Sequence, residues 1–333
     1  MIHKLVILLY SLWVVIASVT WARADTIVEE AQKERTVVLY GSTPQDQITK
    51  LSEAFQKKYP FLKVQYFRLA PSPLLNRIFT EARAGNHSVD VINLDTINGS
   101  MVKQGGLLQP YKSKETEAFP EQYRDADGLM PCCMYVLSNV IGYNTKLVSK
   151  KEAPKTYQDL LDPKWKGKIG MYTDDSKWFA SLVWIWGKEK TVSYFRALMK
   201  QQPRLQDGVA LLAQLMVAGD VDMVVNLFGY QVLDLQERGA AVDIIQAEPT
   251  SLRAGHVLLA KHAPHPKAAK LFMDYVHSAE GQQVMADLGR EVVRPDIKIR
   301  YPRLLQGKLY PVKPEMVKDY DELFKLYVSI LKE

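Results

Sequence analysis

The sequence predicts an α/β protein of two lobes, and three observations carry that prediction. Strands rich in β-branched residues alternate with amphipathic helices along most of the chain. The alternation restarts after a loop containing Pro154 and Pro163, and 333 residues is near the size at which a single hydrophobic core stops growing. The composition, 47% hydrophobic and 24% charged, is that of a globular chain rather than a disordered or membrane-embedded one.

The N-terminus departs from this pattern. Lys4 precedes an uncharged apolar run from Leu5 to Val19, and Ala22-Arg23-Ala24 follows it. A charged tip, a short apolar middle and small residues at a cut site make a secretory signal, and the run is shorter than the roughly 20 residues that cross a bilayer. Cleavage is expected after Ala24, giving an exported mature chain that begins at Asp25. The two cysteines, Cys132 and Cys133, are adjacent and cannot staple a long loop, so buried free thiols are expected and stability must come from the core.

From Thr36 to Tyr40 the chain is apolar and β-branched, a buried strand. Thr43 is a candidate N-cap and Pro44 a first helical residue, with Ile48, Leu51, Phe55 and Tyr59 forming one apolar face behind them. Leu62 to Phe67 alternates as a second strand, and Ser72-Pro73 opens a second helix that runs to Gly85. Val89 to Leu94 is a third strand, and its following helix stops at Gly105-Gly106. This βαβαβα order predicts a mostly parallel sheet, with ligands gathering beyond the C-terminal ends of its strands. Beyond it, Tyr135 to Tyr143 is strand-like and the second α/β unit begins. Its strands are Lys168 to Tyr172, Val221 to Asn226 and Val242 to Gln246; its helices carry Trp178 to Trp186, Val209 to Ala218 and Tyr230 to Arg238. Gly255 to Ala260 is a strand returning to the first lobe, followed by helices from Pro266 to Ser278 and Ala279 to Leu288. Val317, Tyr320, Phe324, Tyr327 and Leu331 recur at helical spacing and predict an amphipathic docking helix. The expected organisation is a signal at 1–24, a first lobe from 25–137 and 255–312, a second lobe over 138–254, and the docking helix at 313–333.

Small polar residues cluster where strands end. They are Ser42 and Thr43, Ser72, Asn93 and Asp95, then Thr173, Asp174 and Ser176, and finally Asn226 and Tyr230. Helix N-termini and neighbouring hydroxyls attract anions, although each of these residue types also serves as an ordinary helix cap. Polar strand ends from two facing lobes form a cleft that closes over a small ligand. Tyr230 is also a candidate metal ligand, since a deprotonated tyrosine oxygen suits ferric iron; as a packing residue at a helix start it needs no ligand. Arg77 and Arg253 could clamp an acidic solute. His262 and His265 are better explained as an exposed turn than as a metal site, because prolines interrupt any regular ligand spacing.

Several function classes are excluded or unsupported. The net charge of +6 is dispersed, and no basic run interleaved with aromatics marks a nucleic-acid groove. There is no G-x-S-x-G elbow, P-loop, G-x-G-x-x-G or H-E-x-x-H, so neither an enzyme nor a cofactor is expected.

Longer stretches carry a family resemblance. These are Leu39 to Thr43 ahead of the helix ending Phe55-Gln56-Lys57-Lys58-Tyr59-Pro60, Leu74 to Ile78, Glu81 to Gly85, Gly105 to Leu108, Tyr143 to Thr145, Asp159 to Lys168 and Gly289 to Asp296. Together they resemble the periplasmic substrate-binding proteins of ABC importers that include the ferric-iron binders, over nearly the whole mature chain. The segment Asp162-Pro163-Lys164-Trp165-Lys166-Gly167-Lys168 is the most specific. The resemblance implies a two-lobed type II periplasmic-binding-protein fold with hinged α/β lobes and a central cleft. It implies a closed form that is presented to an inner-membrane permease and delivers a small-molecule or ion ligand; a monomer is expected. Ferric binders of this family carry two adjacent tyrosines shortly before a Gly-Ala pair. Aligned on Gly239-Ala240, the matching pair here is Tyr230-Gln231, so one phenolic oxygen is replaced by an amide. A small anion, such as a phosphonate or phosphorylated compound, fits the hydroxyl-rich strand ends; ferric iron is the other candidate. A sensor's ligand receptor and an enzyme on a similar scaffold are the alternative functions.

Overall fold

The computed structural model describes residues 27–173 and 175–333. The N-terminal apolar run, the expected cleavage site and Asp174 lie outside the described residues. Residues 27–34 form helix α1. Strand β1 (Thr36–Gly41), α2 (Gln45–Lys58), β2 (Lys63–Arg68), α3 (Pro71–Arg83), β3 (Val91–Asp95) and α4 (Thr96–Gln104) then follow in the expected alternation. After two 3-10 turns comes the long strand β4 (Cys133–Asn144). The second unit is β5 (Ile169–Tyr172), α5 (Ser176–Trp186), α6 (Lys188–Lys200), β6 (Arg204–Gln206), α7 (Val209–Ala218), β7 (Met223–Phe228), α8 (Gly229–Glu237) and β8 (Val242–Ile245). Strand β9 (Thr250–Leu259), α9 (Pro266–His277), α10 (Ala279–Asp287), β10 (Leu309–Pro311) and α11 (Tyr320–Ile330) complete the chain. Among the described residues, no helix is long and apolar enough to cross a membrane.

The strands join in the order β2-β1-β3-β9-β4-β7-β5-β6, with β10 beside β9 and β8 beside β4. The mostly parallel sheet expected from the sequence is instead mixed. Parallel pairing survives in the two wings, β1 with β2 and β3, and β5 with β6 and β7. The central strands β4 and β9 run antiparallel to each other and to their wing neighbours β7 and β3. A crossover rhythm fixes the sense of strands within one βαβ unit; it says nothing of strands that enter from another lobe.

The inner strands of each wing are covered on both faces, alternate residues facing opposite helix layers, while the edge strands β2 and β6 stay exposed or half-buried. In the first lobe, Leu39, Val91 and Val257 face Phe55 and Phe272, whereas their neighbours Tyr40, Ile92 and Leu258 face Leu74 and Ile78. In the second, Ile141, Met223 and Val225 join Trp178, Phe179 and Phe195, and Val140, Val224 and Leu227 join Leu212, Met216 and Val232. Helix α6, which the sequence reading passed over, places Tyr194, Phe195 and Leu198 in that second core. The C-terminal helix α11 docks there too: Leu323, Tyr327 and Ile330 are buried, and Tyr327 sits 5.6 Å from Phe179. The same cluster contains Ile97 of α4, so the C-terminal segment touches both lobes.

Helix α2 begins at Gln45, one residue later than expected, with Pro44 at its cap. Thr43 does not cap it because its hydroxyl is committed elsewhere, 2.6 Å from Asn93 Oδ1 and 2.8 Å from the Tyr135 hydroxyl. Cys132 and Cys133 are free and buried, their sulfurs 4.0 Å apart, and burial pushes the Cys132 thiol pKa far up. His265 is more tightly held than an exposed turn: its Nδ1 lies 2.9 Å from the buried carboxylate of Asp90, which also accepts the His265 and Val38 N–H groups.

Candidate functional site

A cleft of about 520 Å³ opens between the lobes. Its floor is the central strand pair, through Tyr135 and Leu137 of β4 and Arg253 and Gly255 of β9. The first lobe supplies residues just past its strand ends: Ser42 and Thr43 after β1, Arg68 closing β2, Ser72 in the first turn of α3, and Asp95 ending β3. Facing them in the second lobe are Tyr172, Lys177, Phe228, Tyr230 and Gln231, and α11 adds Tyr320, Asp321 and Phe324 at the rim.

Six residues singled out in the sequence therefore line one cleft: Ser42, Thr43, Ser72, Asp95, Tyr230 and Arg253. The other described ones are fastenings. Asn93 is buried, accepting from Thr43 and donating 2.9 Å to the His256 carbonyl. The Thr173 hydroxyl donates to the Gln206 carbonyl at 3.2 Å and ties the loop after β5 to β6. Ser176 shares a 2.7 Å hydrogen bond with the Tyr320 hydroxyl, which anchors α11 at the rim. Asn226 adopts a left-handed φ of 57°, a conformation that asparagine tolerates better than most residues, and donates 3.2 Å to Asp175. Of the two arginines, Arg77 is occupied by Glu81 and the Tyr40 hydroxyl, at 2.7 and 2.8 Å, while Arg253 reaches the cleft.

Part of the cleft's charge comes from Lys177 and Arg290, which the sequence reading did not choose, beside Asp95 and Arg253, which it did. Lys177 donates 2.7 Å to Asp95, joining the second lobe to the first. Burial pulls the Lys177 pKa down and the Asp95 pKa up, but each partner's charge and hydrogen bond win, leaving Lys177 above and Asp95 below its ordinary value. Arg290 is buried between two rings, 4.4 Å from the Tyr135 centroid and 4.2 Å from that of Tyr230, and its Nε donates 2.7 Å to Gln47. The Tyr230 ring stacks on Phe228 at 6.5 Å, and the Arg253 guanidinium lies 4.6 Å over Phe228. Aromatic rings and guanidiniums thus alternate along the floor, each cation facing a ring's negative quadrupole. Burial raises the Tyr230 pKa despite the opposing charge of Arg290, so its phenol is protonated at neutral pH in the unliganded cleft.

No signal local to the sequence marks Tyr320, Asp321 or Phe324, since they arrive from the far end of the chain. Lys177 had one, its position beside Ser176 at a helix start. Arg290 lies in a stretch that carries the family resemblance, where its charge went unused.

The comparisons with known proteins agree with this geometry. Residues 89–304 match the family model described as bacterial extracellular solute-binding protein. Iron uptake protein A2 of a Synechocystis strain is 27% identical over 300 residues, covering 83% of each chain. The solved structure of iron-bound HitA from Pseudomonas aeruginosa superposes with a TM-score of 0.77 at 18% identity, over 89% of this chain and 99% of that one. That of AfuA from Actinobacillus pleuropneumoniae, with fructose-6-phosphate bound, gives 0.75 at 20% identity, over 89% and 98%. At those identities the structures speak to fold, which is the two-lobed fold of periplasmic binding proteins. With the family model covering well over half of its length, the chain belongs to the bacterial extracellular solute-binding proteins.

Proposed function

We propose that this chain is the capture component of an ABC importer, binding a small anion in the periplasm and presenting its closed form to an inner-membrane permease. The observation that carries the choice of an anion is the lining of the cleft: Arg68 and Arg290 on the first-lobe side, Lys177 on the second and Arg253 between them, against Asp321 and the carboxylates of Asp95 and Asp175 that pair with Lys177 and Arg253. An oxyanion entering there exchanges water for charge-assisted hydrogen bonds, and its contacts to both walls add to the Lys177–Asp95 pair in favouring the closed form. A phosphonate or phosphorylated compound suits this lining. Residues 25–137 with 255–312 form the first lobe in this scheme, 138–254 the second, and 313–333 the docking helix. Export follows cleavage after Ala24, the mature chain acts as a monomer, and the ligand is released unchanged.

Ferric iron is the second candidate, favoured by Tyr230 in the cleft and by the iron-related names of Iron uptake protein A2 and HitA. Gln231, where the resemblance implies a second tyrosine, favours the anion. A thermal-shift screen of the mature protein decides between them, because a ligand that binds the native state raises Tm by mass action. Phosphate esters and phosphonates are expected to shift Tm. A shift with ferric salts alone would replace the anion with iron, and a ligand recovered chemically altered would indicate an enzyme.

A further inference from the structure

Arg253 stands on β9, at the centre of the cleft floor, and only one edge of its guanidinium is used. Nη1 donates 2.8 Å to Asp175 Oδ1. Nε and Nη2 are buried and have no hydrogen-bond partner. These two atoms form one edge of the planar group, with parallel N–H bonds spaced to meet two oxygens of a single carboxylate or phosphoryl group. Buried polar groups are rarely left unpaired without a reason, and a charged fork without acceptors is an unusual thing to enclose in a binding cleft.

The rest of the surroundings hold that fork still. Asp175 is fully buried and accepts from the Trp178 N–H at 3.3 Å and from Asn226 Nδ2 at 3.2 Å, as well as from Arg253. One face of the guanidinium lies 4.6 Å from the Phe228 ring. A side chain fixed by an ion pair at one corner and a ring on one face loses little further freedom when it binds, which favours tight and geometrically selective recognition.

We propose that Arg253 is the specificity-determining anchor of the cleft, its Nε and Nη2 taking two oxygens of one carboxylate, phosphonate or phosphate group of the solute, with Asp175 as its positioning residue. This rests on the reading of the cleft as an anion site and adds which atoms select the anion. Neutral and cationic solutes leave the fork unsatisfied and are rejected.

The test is isothermal titration of the full mature protein with inorganic phosphate, phenylphosphonate, citrate and ferric chloride, using wild type and Arg253→Lys. Lysine keeps the charge and can still meet Asp175 but offers no planar fork, so affinity for every anion that binds wild type is expected to fall 10- to 100-fold. A second readout does not depend on a variant: the Arg253 Nε–H proton resonance in 15N-labelled wild type should move and exchange more slowly with water when the anion is added. If an anion binds, R253K binds it within threefold and the Nε–H signal is unmoved, Arg253 is structural and the anchor is elsewhere. If ferric chloride binds and none of the anions does, the anion reading itself falls, and the anchor with it. Phosphate and phenylphosphonate binding without citrate identifies a tetrahedral head group; citrate alone identifies a carboxylate.

Discussion

The carboxylate of Asp95 and the ammonium of Lys177 meet at 2.7 Å between the two walls of the cleft, each side chain at least four-fifths buried. Asp95 also caps α4, accepting from the Ile97 and Asn98 N–H groups, so it is held in place from the first-lobe side. A hydrogen bond between charged groups contributes about 1.5–3 kcal/mol, enough to bias an equilibrium between open and closed lobes. Asp95→Asn is expected to raise the radius of gyration of the unliganded protein in small-angle scattering. The same opening should occur in wild type on acidification: the Asp95 pKa is depressed, so its contribution is complete above the ordinary carboxylate value and is lost as pH falls through the depressed one. Identical scattering from D95N and wild type at neutral pH would show that the pair does not hold the lobes.

Glu291 gives a pH effect of opposite sign. Its carboxylate accepts 2.7 Å from the Ser138 N–H in β4, and burial pushes its pKa up to about 8 although Ser138 and Arg290 oppose the shift. A carboxyl with a raised native pKa binds more protons folded than unfolded, so stability falls as pH rises from about 4.5 to about 8. Glu291→Gln keeps an oxygen for the Ser138 N–H and removes the buried charge. Its Tm should exceed that of wild type at pH 9, by at most a few kcal/mol in stability, and the difference should shrink toward pH 5. A Tm difference that does not vary with pH would place the strain elsewhere.

Gly255 lines the cleft floor beside Tyr135. A Cβ there would lie 2.6 Å from the Tyr135 ring, whose hydroxyl holds Thr43. Gly255→Ala must therefore displace Tyr135, at a cost of about 1–3 kcal/mol, and it should weaken solute binding as well. Unfolding in urea measures the first effect and titration the second. A stable variant with unchanged affinity would mean that the Tyr135 position does not matter to the site.

Tyr327 tests the docking helix. It is fully buried against Phe179 and Phe195, and its hydroxyl donates 3.1 Å to the carbonyl of Tyr172, a residue of the cleft. Tyr327→Ala should cost about 3–5 kcal/mol from cavity formation, whereas Tyr327→Phe should cost roughly 0.5–1.5 kcal/mol for the hydrogen bond. Chemical denaturation distinguishes the two. Equal losses in both variants would mean that the hydroxyl, not the ring, secures α11.

Local periodicity made α7 and α9 legible in the sequence almost to the residue, and of the polar strand ends Ser42, Thr43, Ser72 and Asp95 line the cleft. It failed where tertiary contacts decide. Residues 250–253, Thr-Ser-Leu-Arg, are too polar to look like a strand, yet they extend β9 and carry Arg253. Helix α6 was passed over although its buried residues, Tyr194, Phe195 and Leu198, follow helical spacing. Asn93 and Asn226 were chosen for their side-chain chemistry and are spent on internal hydrogen bonds, a distinction that depends on which way each side chain faces. The rim from α11 required knowing where the chain's end returns.

The antiparallel pairing of β4 and β9 also constrains how the molecule can move. Ladder hydrogen bonds run perpendicular to the strands and resist sliding of one against the other, while two neighbouring strands bend together easily about an axis across them. The described β10 lies alongside this pair, and the Val136 N–H bonds to the Glu291 carbonyl, so a further stretch of chain accompanies them at the same level. Relative motion of the lobes about this pair is therefore expected to be a bend rather than a slide. A pair of spectroscopic labels, one on α4 and one on α5, measures that bend as a distance, which is expected to shorten when solute binds.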